Sequence, residues 1–155
     1  MKATYQNQQL KLRGEIIMVQ KQVQERFEDL ANNSCYALCL VEYMNRYRSM
    51  GLTRPSQYFM LVIQGYANNW IDWDGTVTDP AAFLSYIDPM HKKYKVSWVK
   101  GANTTYTTYP TFYSIDGKQG HFVLTSNSKV VWNSLSYSRN VAKGKAISYR
   151  KIEAL

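Results

Sequence analysis

Hydrophobic and polar positions divide this chain into a helical first half and a stranded second half. Ile16, Val19, Val23, Phe27 and Leu30 recur at steps of three and four residues, the spacing that lines up one face of an α-helix. Gln20, Lys21, Gln24, Glu25 and Glu28 supply the wet face, which predicts an amphipathic helix over about residues 15–31. Asn32, Asn33 and Ser34 break the rhythm and offer an N-cap for a second helix. That helix, predicted over about 35–48, is apolar nearly all round through Met44, which marks it as the central buried helix, and Gly51 ends it. Thr53 and Pro55 open a third, because proline suits a first helical turn. It carries Phe59, Leu61, Val62 and Ile63 and fades at Gly65. After a turn-rich stretch from Asp72 to Asp79, Pro80 opens a short helix through Phe83, Leu84 and Ile87.

From Tyr94 onward the texture changes to short runs rich in β-formers. Strands are predicted at 94–99, 106–114, 120–126, 129–134 and 146–152, with Asp116-Gly117 and Asn127-Ser128 as turns between them. Residues 1–14 are polar and are punctuated by Gly14. Helices followed by strands predict an α+β fold in one domain spanning 1–155, N-terminal helices packing on a C-terminal antiparallel sheet.

Length and charge sharpen this picture. A chain of this size buries roughly 68–70% of its unfolded surface, so no metal or disulfide staple is needed and no cofactor is expected. Nineteen Lys and Arg against eleven Asp and Glu give a net charge of +8, which favours an anionic partner such as an acidic protein, nucleic acid or an acidic wall polymer. The cations gather at Lys92, Lys93 and Lys95, and again at Arg139, Lys143, Lys145, Arg150 and Lys151. Mixed with thirteen tyrosines, they match the basic-aromatic interleaving of nucleic-acid binders and, equally, a solvated face. No apolar run is long enough to span a membrane, and the first 25 residues lack a secretory h-region. The chain is expected to stay in the compartment that makes it, or to leave only by lysis or inside a particle.

Three constellations carry candidate chemistry. Asp72-Trp73-Asp74-Gly75-Thr76 matches the nucleophile motif of haloacid-dehalogenase-like phosphatases, which must end a buried strand of a parallel sheet. Ala67, Asn68 and Asn69 precede it and no second acidic motif follows, so a turn is the expected reading. Cys35, Cys39, His91 and His121 hold metal-ligating atoms, but structural zinc sites pair their ligands tightly in both halves, and only the cysteines are close in sequence. Four residues apart on one helix, those cysteines do not suit a disulfide. The third constellation is Cys35 with His121. Cys35 falls in the first turn of the buried helix, where unpaired N–H groups and the positive end of the dipole favour a thiolate and an oxyanion. His121 begins the strand Phe122-Val123-Leu124, and Asn133 on the next strand is placed to orient its imidazole.

Ser34-Cys35-Tyr36, Gly120-His121-Phe122-Val123-Leu124 and Val131-Trp132-Asn133 resemble the papain-like clan, in which a helix begins at the cysteine, a late Gly-His opens a strand, and Asn or Asp follows on the next. The likeness is to its compact branch of bacteriocin-processing-type peptidases and cell-wall endopeptidases. The tail from Val131 through Ser138, Val141, Gly144 and Ser148-Tyr149-Arg150 is similar to an uncharacterised phage- and plasmid-borne family of small papain-like proteins. Together these span about residues 16–152. The resemblance implies a papain-like fold and a thiol hydrolase acting on a peptide or peptidoglycan amide, with Cys35 as nucleophile, His121 as base and Asn133 as orienter. It equally accommodates a catalytically silent papain-like fold that binds a partner or associates with a virion, and composition leaves open a nucleic-acid-binding anti-defence protein. Papain-like enzymes usually place a glutamine several residues before the cysteine. Here Asp29 stands near that offset, Gln22 and Gln24 lie further back, and Asn32 or Asn33 is the substitute to consider.

Overall fold

A computed structural model describes residues 19–155; the polar segment 1–14 and Ile16 lie outside the described residues. Helix α1 covers 19–33, and its apolar stripe is only partly used. Leu30 is buried, Phe27 leans on Phe59 with ring centroids 5.6 Å apart, and Val19, Val23 and Phe27 are exposed.

Helix α2, Cys35–Arg48, runs through the centre of the molecule as its apolar circumference requires, with Ala37 and every residue from Cys39 to Met44 buried. One polar side chain shares that burial. Glu42 accepts the Tyr58 hydroxyl at 2.6 Å and Arg46 Nε at 3.3 Å, which ties α2 to helix α3, Pro55–Ala67. Asn45 fixes the connection between them, taking the Leu52 N–H at 2.9 Å on Oδ1. Gly65 does not end α3. It is buried within it, because a Cβ there would stand 2.5 Å from Ile71 Cδ1 and 3.0 Å from the Phe83 ring. Helix α4, Pro80–Ile87, is capped by Asp79, whose Oδ1 accepts the Ala82 N–H at 3.0 Å.

Asp88, fully buried at the end of α4, joins three elements. Its carboxylate accepts Arg48 Nε at 2.9 Å and Nη2 at 3.1 Å, the Tyr94 hydroxyl at 2.6 Å, and the N–H groups of Met90 and Lys92 at 2.9 and 3.2 Å. Burial alone would raise its pKa. The Arg48 guanidinium, the Tyr94 hydroxyl and the two amides outweigh that and hold the carboxyl well below the usual range.

Five antiparallel strands follow: β1 Tyr94–Lys100, β2 Tyr109–Ser114, β3 Gly120–Ser126, β4 Lys129–Trp132 and β5 Lys145–Ala154, in spatial order β1-β5-β2-β3-β4. The last strand thus inserts between the first two. Asn127 and Ser128 take φ of 49° and 63°, the left-handed pair that matches a tight hairpin to sheet twist. One face, with Tyr94, Val96, Ile152, Phe122, Leu124 and Trp132, packs against the helices. Strand β2 starts at Tyr109 rather than at 106 because Asn103 holds the preceding loop, donating from Nδ2 to the carbonyls of Thr107 and Thr125, each at 2.9 Å. A short helix α5, Arg139–Lys143, lies between β4 and β5. It was not legible in the sequence, and Ser138, which accepts the Val141 N–H at 3.4 Å, is the signal that marks its start. The α+β architecture and its helices-then-sheet order are as expected.

Candidate functional site

Cys35 is the first residue of α2, and the chain just before it is built so that the helix amides stay open. Ser34 holds the N-cap position but turns its hydroxyl back onto the Leu30 carbonyl instead of capping. The thiol then sits against the N–H groups of Phe122, Tyr36 and Cys35 itself. The Phe122 contact has a topological cause. Strand amides point sideways in the plane of the sheet, and β4 ends at Trp132, opposite Leu124. No β4 residue therefore stands beside Phe122, and the start of α2 reaches that vacant edge. Burial pushes the Cys35 thiol up, and the three N–H groups only partly oppose it. Cys39, fully buried one turn further on, is pushed up much further by burial, by Cys35 and by Glu42.

His121 and Asn133 are brought together. Asn133 follows the end of β4, and its Oδ1 lies 2.7 Å from His121 Nε2. The same oxygen accepts the Leu135 N–H at 2.9 Å. A backbone N–H can only donate, so the atom facing both groups is the oxygen, and Nε2 must carry the imidazole proton. The neutral ring then presents its lone pair at Nδ1, the nitrogen nearer the main chain. Nδ1 has no hydrogen-bond partner among the described residues, and His121 as a whole is 6% exposed.

The thiol and the imidazole approach the same peptide unit from different sides. Side chains alternate along a strand, so His121 leaves β3 with Val123 and Thr125, while Phe122 leaves on the helical face and stacks on Tyr36 with centroids 4.5 Å apart. Cys35 opens into a groove of about 930 Å³ on that helical face, whose walls include Tyr36, Trp98, Phe112, Phe122 and Arg150; His121 is not among its lining residues. The structure places Cys35 one peptide unit from His121 and makes no thiol–imidazole hydrogen bond among the described residues.

The other sequence candidates fall elsewhere. Asp72–Thr76 is a tight turn, closed by Asp72 N–H to Thr76 O at 2.8 Å and flanked by the Ile71–Val77 bridge. Its Gly75 has φ of 89°, and a Cβ there would collide with the Asn33 carbonyl. The turn forms the rim of the groove rather than the end of a parallel strand. His91 is exposed, with Nδ1 3.2 Å from the Ser85 carbonyl oxygen. Among the described residues no three His, Cys, Asp or Glu side chains converge as metal ligands, and no helix is long and apolar enough to cross a membrane. Lys92, Lys93, Lys95, Arg139, Lys143, Lys145 and Lys151 are exposed, and Lys151 pairs with Glu153 at 3.4 Å. Arg150 does not belong with them. Strand alternation turns it into the groove, over Phe122 at 5.1 Å. Sequence reasoning missed that role, although period-two alternation along β5 was the signal for it.

No family model matches the chain, and no curated protein or solved structure is detectably similar to it.

Proposed function

We propose that the chain is a papain-like thiol hydrolase that cleaves an amide bond in a peptide or in peptidoglycan. The observation that carries this reading is the His121–Asn133 pair at 2.7 Å, fixed in the tautomer that leaves Nδ1 as a base, one peptide unit from a thiol at a helix N-terminus. Cys35 is the nucleophile. As Sγ bonds to the carbonyl carbon, its proton passes to His121 Nδ1 and the carbonyl π electrons move to oxygen. The N–H groups of Cys35 and Tyr36 hold that oxyanion. Collapse breaks the C–N bond, and the amine leaves with the proton from Nδ1. Water then attacks the thioester, Nδ1 takes its proton, and the acid leaves as the thiol is restored. The mechanism requires Nδ1 to reach Sγ past the backbone of residues 121–122.

The test is amide hydrolysis of peptide and muropeptide substrates by wild type, Cys35→Ala and His121→Ala. The expected result is turnover abolished in the first variant and lowered by about 10²–10⁴ in the second. Turnover that survives Cys35→Ala overturns the assignment.

A second reading is a papain-like fold without catalysis, used for binding or within a particle. Two observations favour it: the imidazole leaves β3 on the face away from the groove, and burial raises the thiol pKa. Absence of turnover together with Cys35 that labels no faster than Cys39 supports this reading.

A further inference from the structure

The groove beside Cys35 contains a cation whose surroundings suit a ligand better than they suit the resting protein. Arg150 is half-buried, and its guanidinium lies 5.1 Å from the centre of the Phe122 ring and 6.0 Å from that of Tyr36. One terminal nitrogen donates to Ser148 Oγ at 2.9 Å. No carboxylate among the described residues forms an ion pair with it. Arg150 lines the groove, and the single neutral hydrogen bond leaves other donors of its fork without a protein acceptor among the described residues. Burying a cation without a counter-ion is unfavourable, and this burial lowers the Arg150 pKa.

We infer that Arg150 is the anchor for a carboxylate on the ligand, so that the groove takes a peptide carrying a carboxylate close to the carbonyl presented to Cys35. A planar, singly charged carboxylate matches the guanidinium fork with two parallel hydrogen bonds. Groove charge agrees with one negative group rather than a polyanion: Arg150 and Lys118 are positive and Asp74 is negative. Trp98 pairs in register with Arg150 across β1 and β5 and is 60% exposed. With Phe112 it offers an apolar surface for the side chain beside that carboxylate. The carboxylate has two possible sources, a peptide C-terminus or an acidic side chain. Reading the ligand as a substrate rests on the proposed hydrolase; the anchor itself does not.

Three N-acetylated dipeptides separate the possibilities: Ala-Phe with a free C-terminus, Ala-Phe amide, and Glu-Phe amide. Binding is read from the Trp98 indole NMR signal, assigned with Trp98→Phe. Wild type is expected to bind at least one carboxylate peptide ten or more times tighter than the Ala-Phe amide. The peptide that gains the advantage identifies the source. Arg150→Gln is expected to abolish the advantage, and Arg150→Lys, which keeps charge without the fork, to retain only part of it. Equal binding of all three peptides, no binding of any at millimolar concentration, or an advantage that survives in Arg150→Gln overturns the proposal. The two ideas stay apart in wild type, since carboxylate selectivity in a wild-type chain that turns over no peptide or muropeptide sinks the hydrolase and leaves the anchor standing, and Cys35→Ala is expected to keep the selectivity.

Discussion

Asn133→Ala tests the element on which the catalytic reading turns. Asn133 Oδ1 accepts two protons, from His121 Nε2 at 2.7 Å and from the Leu135 N–H at 2.9 Å. Leu135 is exposed, so water replaces the second bond at little cost. His121 is only 6% exposed, and its Nε2–H loses its acceptor. Leaving a buried donor unpaired costs about 1–3 kcal/mol. Taking the middle of that range, about 2 kcal/mol lowers the melting temperature of a domain of this size by roughly 4–8 °C. The same hydrogen bond sets the tautomer. Its net contribution of about 1 kcal/mol shifts the ratio of the two neutral forms by roughly fivefold, so Nδ1 is protonated in a larger share of molecules and the base is weakened. Nitrogen-15 NMR of the imidazole reads this directly, with a pyridine-like Nδ1 in wild type and averaging toward the protonated form in the variant. Asn133→Asp retains the acceptor and is expected to restore the wild-type tautomer. Wild type that carries its proton on Nδ1, or Asn133→Ala with unchanged tautomer and melting temperature, would refute the reasoning.

The remaining predictions concern the thiol and two structural nodes. In His121→Ala, burial still outweighs the three N–H groups at Cys35, so its alkylation is expected to climb only above the ordinary thiol value of about 8.5; half-maximal labelling below that value contradicts the assigned environment. Cys39 stays unlabelled across the same range until the protein unfolds, because it is fully buried. Gly75→Ala combines a positive φ with a collision against the Asn33 carbonyl and is expected to cost about 1–3 kcal/mol in chemical denaturation, with altered Cys35 labelling because Asn33 lies two residues before the thiol. Asp88→Ala leaves the buried Tyr94 hydroxyl with only the weak Met44 sulfur acceptor at 3.8 Å, a loss of about 1–2 kcal/mol, discounted at Arg48, which retains contact with water. Since the Asp88 pKa is depressed by folding, its contribution is fully present above the unfolded carboxyl value of about 3.9 and is lost as pH falls through the folded value. Wild type and Asp88→Ala are therefore expected to converge in stability in strong acid, and a gap that persists there overturns the assignment.

Local rules make much of this molecule readable from its sequence. The all-round apolar run from Cys35 to Met44 gave the central helix with its observed bounds, Pro55 and Pro80 marked helix starts, and Asn127-Ser128 marked the hairpin, because each depends on neighbours a few residues away. Where local signals misled, a distant contact decided. Gly65 read as a helix end and is instead a small residue against Ile71 and Phe83. Val19, Val23 and Phe27 read as a buried stripe and are exposed. The order of Cys35, His121 and Asn133 was visible as a pattern, but its geometry was not. That Asn133 meets Nε2 follows from the β3–β4 pairing, and that the thiol meets the Phe122 amide follows from β4 ending early. Arg150 and Lys151 are adjacent basic residues in the sequence. Only the sheet, which sends successive side chains to opposite faces, puts Arg150 over Phe122 in the groove and leaves Lys151 in water beside Glu153.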